Sequence, residues 1–250
     1  MPAAGYTAPM TAATSLKQLS LNVHLDDDAT FENYFVATDS SNALALQAIR
    51  ALTSALPAEP FVYIWGAAGV GVSHLLQAAC RAVGVCNMRS QYLPLEELAG
   101  FAAEQLLEGL EQLDLVCLDG VQHVMGQPGW DSALFHFYNR LRDGQHCRLL
   151  VSADCAPRDL GSGLPDLVSR MGWGVAFHLQ PLDDRQKLEA LQRRAKSRGI
   201  DLNDEVVHFI ISHASRSMAE LVACLDRIDN ISLVEKRRVT IPFLKEIFGW

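Results

Sequence analysis

Phe61-Val62-Tyr63-Ile64-Trp65 is a continuous apolar run of strand length. It passes without a spacer into the glycine-rich stretch Gly66-Ala67-Ala68-Gly69-Val70-Gly71-Val72-Ser73 and then into a helix-like segment, 73–83. A strand apolar at every position needs cover on both faces, and a strand that turns directly into a helix acquires one of those covers at once. Further short apolar runs stand at 92–95, 115–118, 149–151 and 175–177, and helical patterns occupy 42–56, 96–111 and 130–142. Strands alternating with helices in this way predict a central parallel sheet covered on both faces. After Pro181 the pattern turns purely helical, with segments at 183–197, 204–213, 218–234 and a short last one from Ile241. The expected architecture is therefore an α/β domain followed by a small all-helical one.

Charge supports a boundary near Pro181. The chain carries a net charge of −8, but residues 1–180 hold 9 Lys/Arg against 18 Asp/Glu, whereas residues 181–250 hold 12 against 11. A surface this acidic repels phosphate backbones, which argues against autonomous DNA binding. The six cysteines form no C-x-x-C pair and sit mostly in apolar runs, as reduced, buried thiols of a cytoplasmic protein would. No apolar stretch reaches the length needed to cross a bilayer, and the first fifteen residues lack the basic and apolar regions of an export signal. Those residues, 1–15, are small, polar and uncharged with two prolines, and are expected to form a disordered tail. The histidines and acidic pairs suggest no metal centre.

The turn after the first strand lies where backbone N–H groups and a helix N-terminus converge on phosphates. The phosphate-binding pattern G-x-x-x-x-G-K-[ST] is met by Gly66, Gly71 and Ser73, with Val72 in place of the lysine and with Gly69 and His74 completing the candidate cradle. Loss of that one charge-assisted contact removes about 1.5–3 kcal/mol, while the glycine turn and the Ser73 hydroxyl remain able to hold a diphosphate. The alternative is a glycine-rich turn without a ligand. Later, Leu115-Val116-Cys117-Leu118-Asp119 is an apolar strand ending in an acid that could hold Mg²⁺, but Gly120 follows where ATP-hydrolysing relatives of this motif carry a second acid.

Other blocks are more distinctive: Thr30-Phe31-Glu32-Asn33-Tyr34-Phe35 with Ser41-Asn42, Phe135-His136-Phe137-Tyr138-Asn139, Leu164-Pro165-Asp166-Leu167-Val168-Ser169-Arg170, and Gly172-Trp173-Gly174. In these the chain resembles the AAA+ domain of the replication initiator DnaA and, within that group, the regulatory inactivators of DnaA. The resemblance implies an AAA+ base over residues 26–180 and a helical lid over 181–250. It implies that Arg170 is an arginine finger reaching nucleotide on a neighbouring subunit, the alternative being an ion-paired surface arginine. Asp154 falls at the first sensor position, and Ala219 stands where the second sensor arginine is expected, with Arg216 as a substitute if the helix is shifted. With Val72 and Ala219 the site has lost two phosphate-facing cations, so ADP with Mg²⁺ is the implied ligand of a weakened site, and intrinsic ATPase activity is not expected.

Residues 16–25 contain Gln18-Leu19-Ser20-Leu21-Asn22-Val23, which resembles the peptide that docks such regulators on the β sliding clamp of DNA polymerase III. Gln18 would bond the pocket rim and Leu19, Leu21 and Val23 would supply apolar contacts. DnaA continues into a helix-turn-helix domain beyond its lid, whereas this sequence stops at Trp250, so DNA is expected only indirectly, through the loaded clamp. The implied function is stimulation of DnaA-bound ATP hydrolysis, which prevents re-initiation; homo-oligomers fit the family and no membrane is involved. The alternative is a DnaA-like ATPase or helicase-loading accessory using its own nucleotide. Basic residues Arg193, Arg194, Lys196 and Arg198 complement a helix dipole, or alternatively touch clamp-threaded DNA.

Overall fold

The computed structural model describes residues 25, 29–37, 40–54, 59–214, 217–235 and 237–250. Five parallel strands, β1 (Phe61–Trp65), β2 (Ser90–Pro94), β3 (Leu115–Asp119), β4 (Arg148–Ala153) and β5 (Val175–His178), form one sheet in the order β2-β3-β4-β1-β5. Side chains on successive strand residues face opposite ways, so Val62, Ile64, Leu115, Cys117 and Leu150 enter one buried cluster while Tyr63, Val116, Leu118 and Val151 enter the other. The first is covered by α1 (Ser41–Leu52) and α2 (Val72–Val85), the second by α3 (Leu95–Leu98), α4 (Ala103–Leu107), α5 (Trp130–Gly144) and α6 (Pro165–Met171).

Three expectations need correction. The helix expected over 42–56 ends at Leu52, because the Thr53 and Ser54 hydroxyls donate to the Arg50 and Ala51 carbonyls at 2.8 and 2.9 Å and close the last turn. The single helix expected over 96–111 is three pieces, α3, α4 and a 3-10 turn at Leu110–Gln112, separated at Gly100 and at Gly109, whose φ of 77° no helix accommodates. The sheet is not covered on both faces throughout: edge strand β5 is largely exposed, its apolar composition notwithstanding. Helix α6, begun by Pro165 and too short for periodicity to reveal, is an element the sequence reading did not contain.

Asp131, buried on α5, fixes the approach to α6. Its carboxylate accepts from the Gly126 N–H at 2.8 Å, the Gly163 N–H at 2.8 Å and the Ser162 hydroxyl at 2.7 Å. Removing it costs three hydrogen bonds to a charged acceptor that tie together the exposed Gly126 and Gly163 and the half-buried Ser162, so Asp131→Ala is expected to lower stability by about 1–3 kcal/mol in urea denaturation, while Asp131→Asn loses less.

The remaining helices, α7 (Asp184–Ser197), α8 (Asp204–His213), α9 (Met218–Glu235) and α10 (Ile241–Phe248), bury Leu191, Val207, Ile210, Leu221, Leu225, Ile228 and Leu244 in a cluster of their own. Their starts are written locally. Asp183 and Gln186 form a reciprocal capping box at α7, Asn203 caps α8, and Thr240 caps α10 ahead of Pro242. Asn42 on α1 anchors the segment leading to α7: its amide donates to the Gln180 carbonyl at 2.9 Å and accepts from the Gln180 N–H at 2.8 Å.

Candidate functional site

The β1–α2 turn lies at the carboxyl edge of the sheet, where parallel α/β folds place their ligands. A cavity of about 500 Å³ opens there between the turn, the segment Asn33–Phe35, and the lid helices α7 and α9. Gly69, Gly71, Val72, Ser73 and His74 all line it. The turn needs its glycines: Gly69 and Gly71 have φ of 85° and 94°, and a Cβ on Gly71 would stand 2.7 Å from the Tyr34 ring. Gly71 starts α2 without a capping side chain, leaving the first N–H groups of the helix to an anion.

The cavity wall formed by residues 33–35 is tied to the turn. Tyr34 donates to the Val70 carbonyl at 3.1 Å, and burial pushes its hydroxyl up to about 12, so it stays a donor at physiological pH. His74 Nε2 donates to the Thr30 carbonyl at 2.8 Å, turning the imidazole toward the 30–35 segment. Gly66 does not line the cavity; it exits β1 so close to the Leu179 carbonyl that a Cβ would sit 2.8 Å from it.

Asp119 and Asp154 are likewise not among the lining residues. Both oxygens of the Asp119 carboxylate accept from protein hydroxyls, Oδ1 from Ser152 and Oδ2 from Tyr92 at 2.5 Å, and the Ser152 hydroxyl in turn accepts from the Gly120 N–H at 2.9 Å. Burial and the adjacent carboxylate push the Tyr92 hydroxyl up strongly, which keeps it protonated on Asp119. A carboxylate engaged in this way does not fit the role of an open Mg²⁺ ligand. Asp154 is exposed just past β4. Among the described residues no group of three or more His, Cys, Asp or Glu side chains could hold a metal ion.

The lid contributes residues that the sequence reading missed, Lys187 above all, beside Arg194 and Ala219, which it had named. Lys187, Ala190 and Arg194 project from one face of α7 into the cavity, opposite the glycine turn, while Ala219, Val222 and Asp226 approach from α9. Arg198, read from sequence as part of one basic cluster with Arg194, instead pairs with Asp226. The signal was available, since positions 187, 190 and 194 share the face that carries buried Ala190 and Leu191. Arg216 and the docking-peptide candidates Gln18, Leu19, Leu21 and Val23 lie outside the described residues.

Arg170 is on α6, away from this cavity. Its guanidinium lies over the Phe135 ring, Cζ 3.9 Å from the centroid, and among the described residues it has no carboxylate partner; its buried Nη1 makes no hydrogen bond. Leu164, Trp173 and Val175 are exposed apolar side chains on the neighbouring segments, and Arg142 lies over the Trp173 ring.

A glycine turn between a central parallel strand and its helix, roofed by a helical lid, defines an AAA+ P-loop module. The chain belongs to the family of bacterial DnaA ATPase domains, whose model matches residues 25–178, and residues 184–248 match the lid domain of Hda. Domain III of the Thermotoga maritima replication initiation protein DnaA is similar in fold, with a TM-score of 0.74 at 23% identity over 90% of this chain and 98% of that one. AMPPCP-bound DnaA from Aquifex aeolicus is similar at 25% identity with a TM-score of 0.67 over 84% of this chain, which spans about two thirds (66%) of that one. Thermotoga maritima RuvB shares the fold at 14% identity, with a TM-score of 0.64 over 86% of this chain and 70% of that one.

Proposed function

We propose that this chain is a regulatory AAA+ subunit that docks on the β sliding clamp and presents Arg170 to ATP held by a neighbouring DnaA, so that DnaA hydrolyses its nucleotide and initiation is not repeated. The observation that carries this reading is the state of Arg170. An arginine serving only the surface would be expected in an ion pair, whereas this one rests on Phe135 with a buried donor unspent. A permanently charged planar fork held off carboxylates is ready to meet charge developing on a transferring phosphoryl group.

The chain's own site supports binding rather than turnover. Backbone N–H groups at the start of α2 and the lid cations can hold a diphosphate such as ADP, but Val72 stands at the lysine position and Gly120 follows Asp119. No helix among the described residues is long and apolar enough to cross a membrane, which is compatible with a cytoplasmic site of action.

The test is hydrolysis of DnaA-bound ATP with clamp loaded on DNA. A Gln18→Ala/Leu21→Ala chain is expected to lose stimulation by about tenfold or more, because docking raises the local concentration of Arg170 at DnaA. Stimulation independent of both the clamp and this segment would remove the docking step from the mechanism. ATP turnover by the isolated chain, abolished by Asp119→Ala, would favour an enzyme acting on its own nucleotide.

A further inference from the structure

Lys187 is in an unusual place for a lysine. It lies in the first turn of α7, the end of a helix that disfavours a positive charge, and its side chain is only 11% exposed. Its one partner among the described residues is the Asp184 carboxylate at 3.6 Å, beyond hydrogen-bond distance and itself 72% exposed. The cavity's carboxylate, Asp226, is taken by Arg198. An ammonium that lines the cavity with so little compensation is available to an anion, and the glycine turn with the open N-terminus of α2 lines the same cavity.

We propose that Lys187 is the phosphate-binding cation of this cavity, taking from the lid the role that the P-loop lysine plays elsewhere, and that a nucleoside diphosphate binds here without a divalent metal. Metal independence follows from Asp119. Its carboxylate accepts from Tyr92 and Ser152, 27 and 33 residues away in sequence, and does not line the cavity, so a cation beside the bound phosphates would find no protein carboxylate directed at it there. The proposal rests on the reading that the cavity binds nucleotide.

Calorimetric titration of ADP into the full chain, in excess Mg²⁺ and in excess EDTA, tests it. The wild-type affinity is expected to agree within about threefold between the two conditions, and Lys187→Met, which keeps the apolar stem, to weaken binding by about tenfold or more in both. Lys187→Arg is expected to retain most of the affinity, which a purely structural role for the stem would not require. Thermal melting checks that each variant is folded. Absence of ADP binding by the wild-type chain in both conditions would overturn the nucleotide reading and this proposal with it. Binding that demands Mg²⁺, or that Lys187→Met leaves unchanged, would overturn this proposal alone.

Discussion

Arg170→Ala is expected to reduce stimulated hydrolysis of DnaA-bound ATP by about 10³-fold or more at the chemical step, because an arginine supplied across an interface contributes roughly 10³–10⁵ to phosphoryl transfer. Arg170→Lys is expected to recover little: an ammonium cannot reproduce the fork, nor the guanidinium's contact with Phe135, whose centroid is 3.9 Å from Cζ. Folding stability should change by no more than about 1 kcal/mol, since the guanidinium gives up no ion pair or hydrogen bond at its buried Nη1. The measurement is single-turnover hydrolysis at saturating regulator, which separates chemistry from docking. Unchanged turnover with Arg170→Ala would mean that the chain acts on DnaA by contact alone. Phe135 is the natural companion variant. Phe135→Ala removes the surface that holds the guanidinium and is expected to give an intermediate loss, reporting on placement rather than charge.

Among the described glycines, Gly174→Ala is expected to be the most destabilising substitution. A Cβ at Gly174 would stand 2.2 Å from the Phe61 carbonyl oxygen and 2.8 Å from both the Phe61 carbonyl carbon and its ring atom Cδ1. Two of the three atoms are backbone, and neither strand can withdraw freely, because Val62 pairs with Val175 and Trp65 with His178 immediately beyond the clash. Forcing a methyl into such a position costs about 3 kcal/mol or more, equivalent to a fall of roughly 6–12 °C in melting temperature for a chain of this size. Calorimetric melting of the variant measures it. A loss below about 1 kcal/mol would mean that edge strand β5 shifts outward to make room, which its exposure on the sheet edge makes the one available escape. Because Gly174 follows α6 by only a few residues, a shift of that kind should also move Arg170, and stimulation of hydrolysis should fall even if stability does not.

Lys187 and Asp119 mark the limit of motif reading at this site. The pattern around Val72 reports a lost cation and the strand end at Asp119 reports a retained acid, and from those alone a weakened, metal-assisted site follows. The folded chain reverses the weight of both: a cation arrives from the lid, and the acid is spent on two hydroxyls. The cavity thus carries lid cations that its glycine turn does not reveal, and Asp119 is not among its lining residues.

What the sequence by itself determined was the set of elements whose information is local. An apolar, β-branched and aromatic pentapeptide such as Phe61-Val62-Tyr63-Ile64-Trp65, closed by a glycine turn, favours burial as a strand, and Asp183 with Gln186, Asn203 and Thr240 write their helix starts into adjacent residues. The helical lid and the position of the glycine turn were legible for that reason, whereas Arg170 was singled out by family resemblance alone. The tertiary structure alone decided the rest. Strand register sets Pro94 opposite Asp119 and brings Tyr92 and Ser152 to its carboxylate; helix packing lays Arg170 on a ring 35 positions earlier and brings Lys187 to the cavity that Gly71 and Ser73 also line. Each of these is a contact between groups far apart along the chain, and its energy exists only after the sheet and lid have closed. Periodicity, capping and turn chemistry act over a few residues, so they specify which elements form but not which side chains meet when the elements pack.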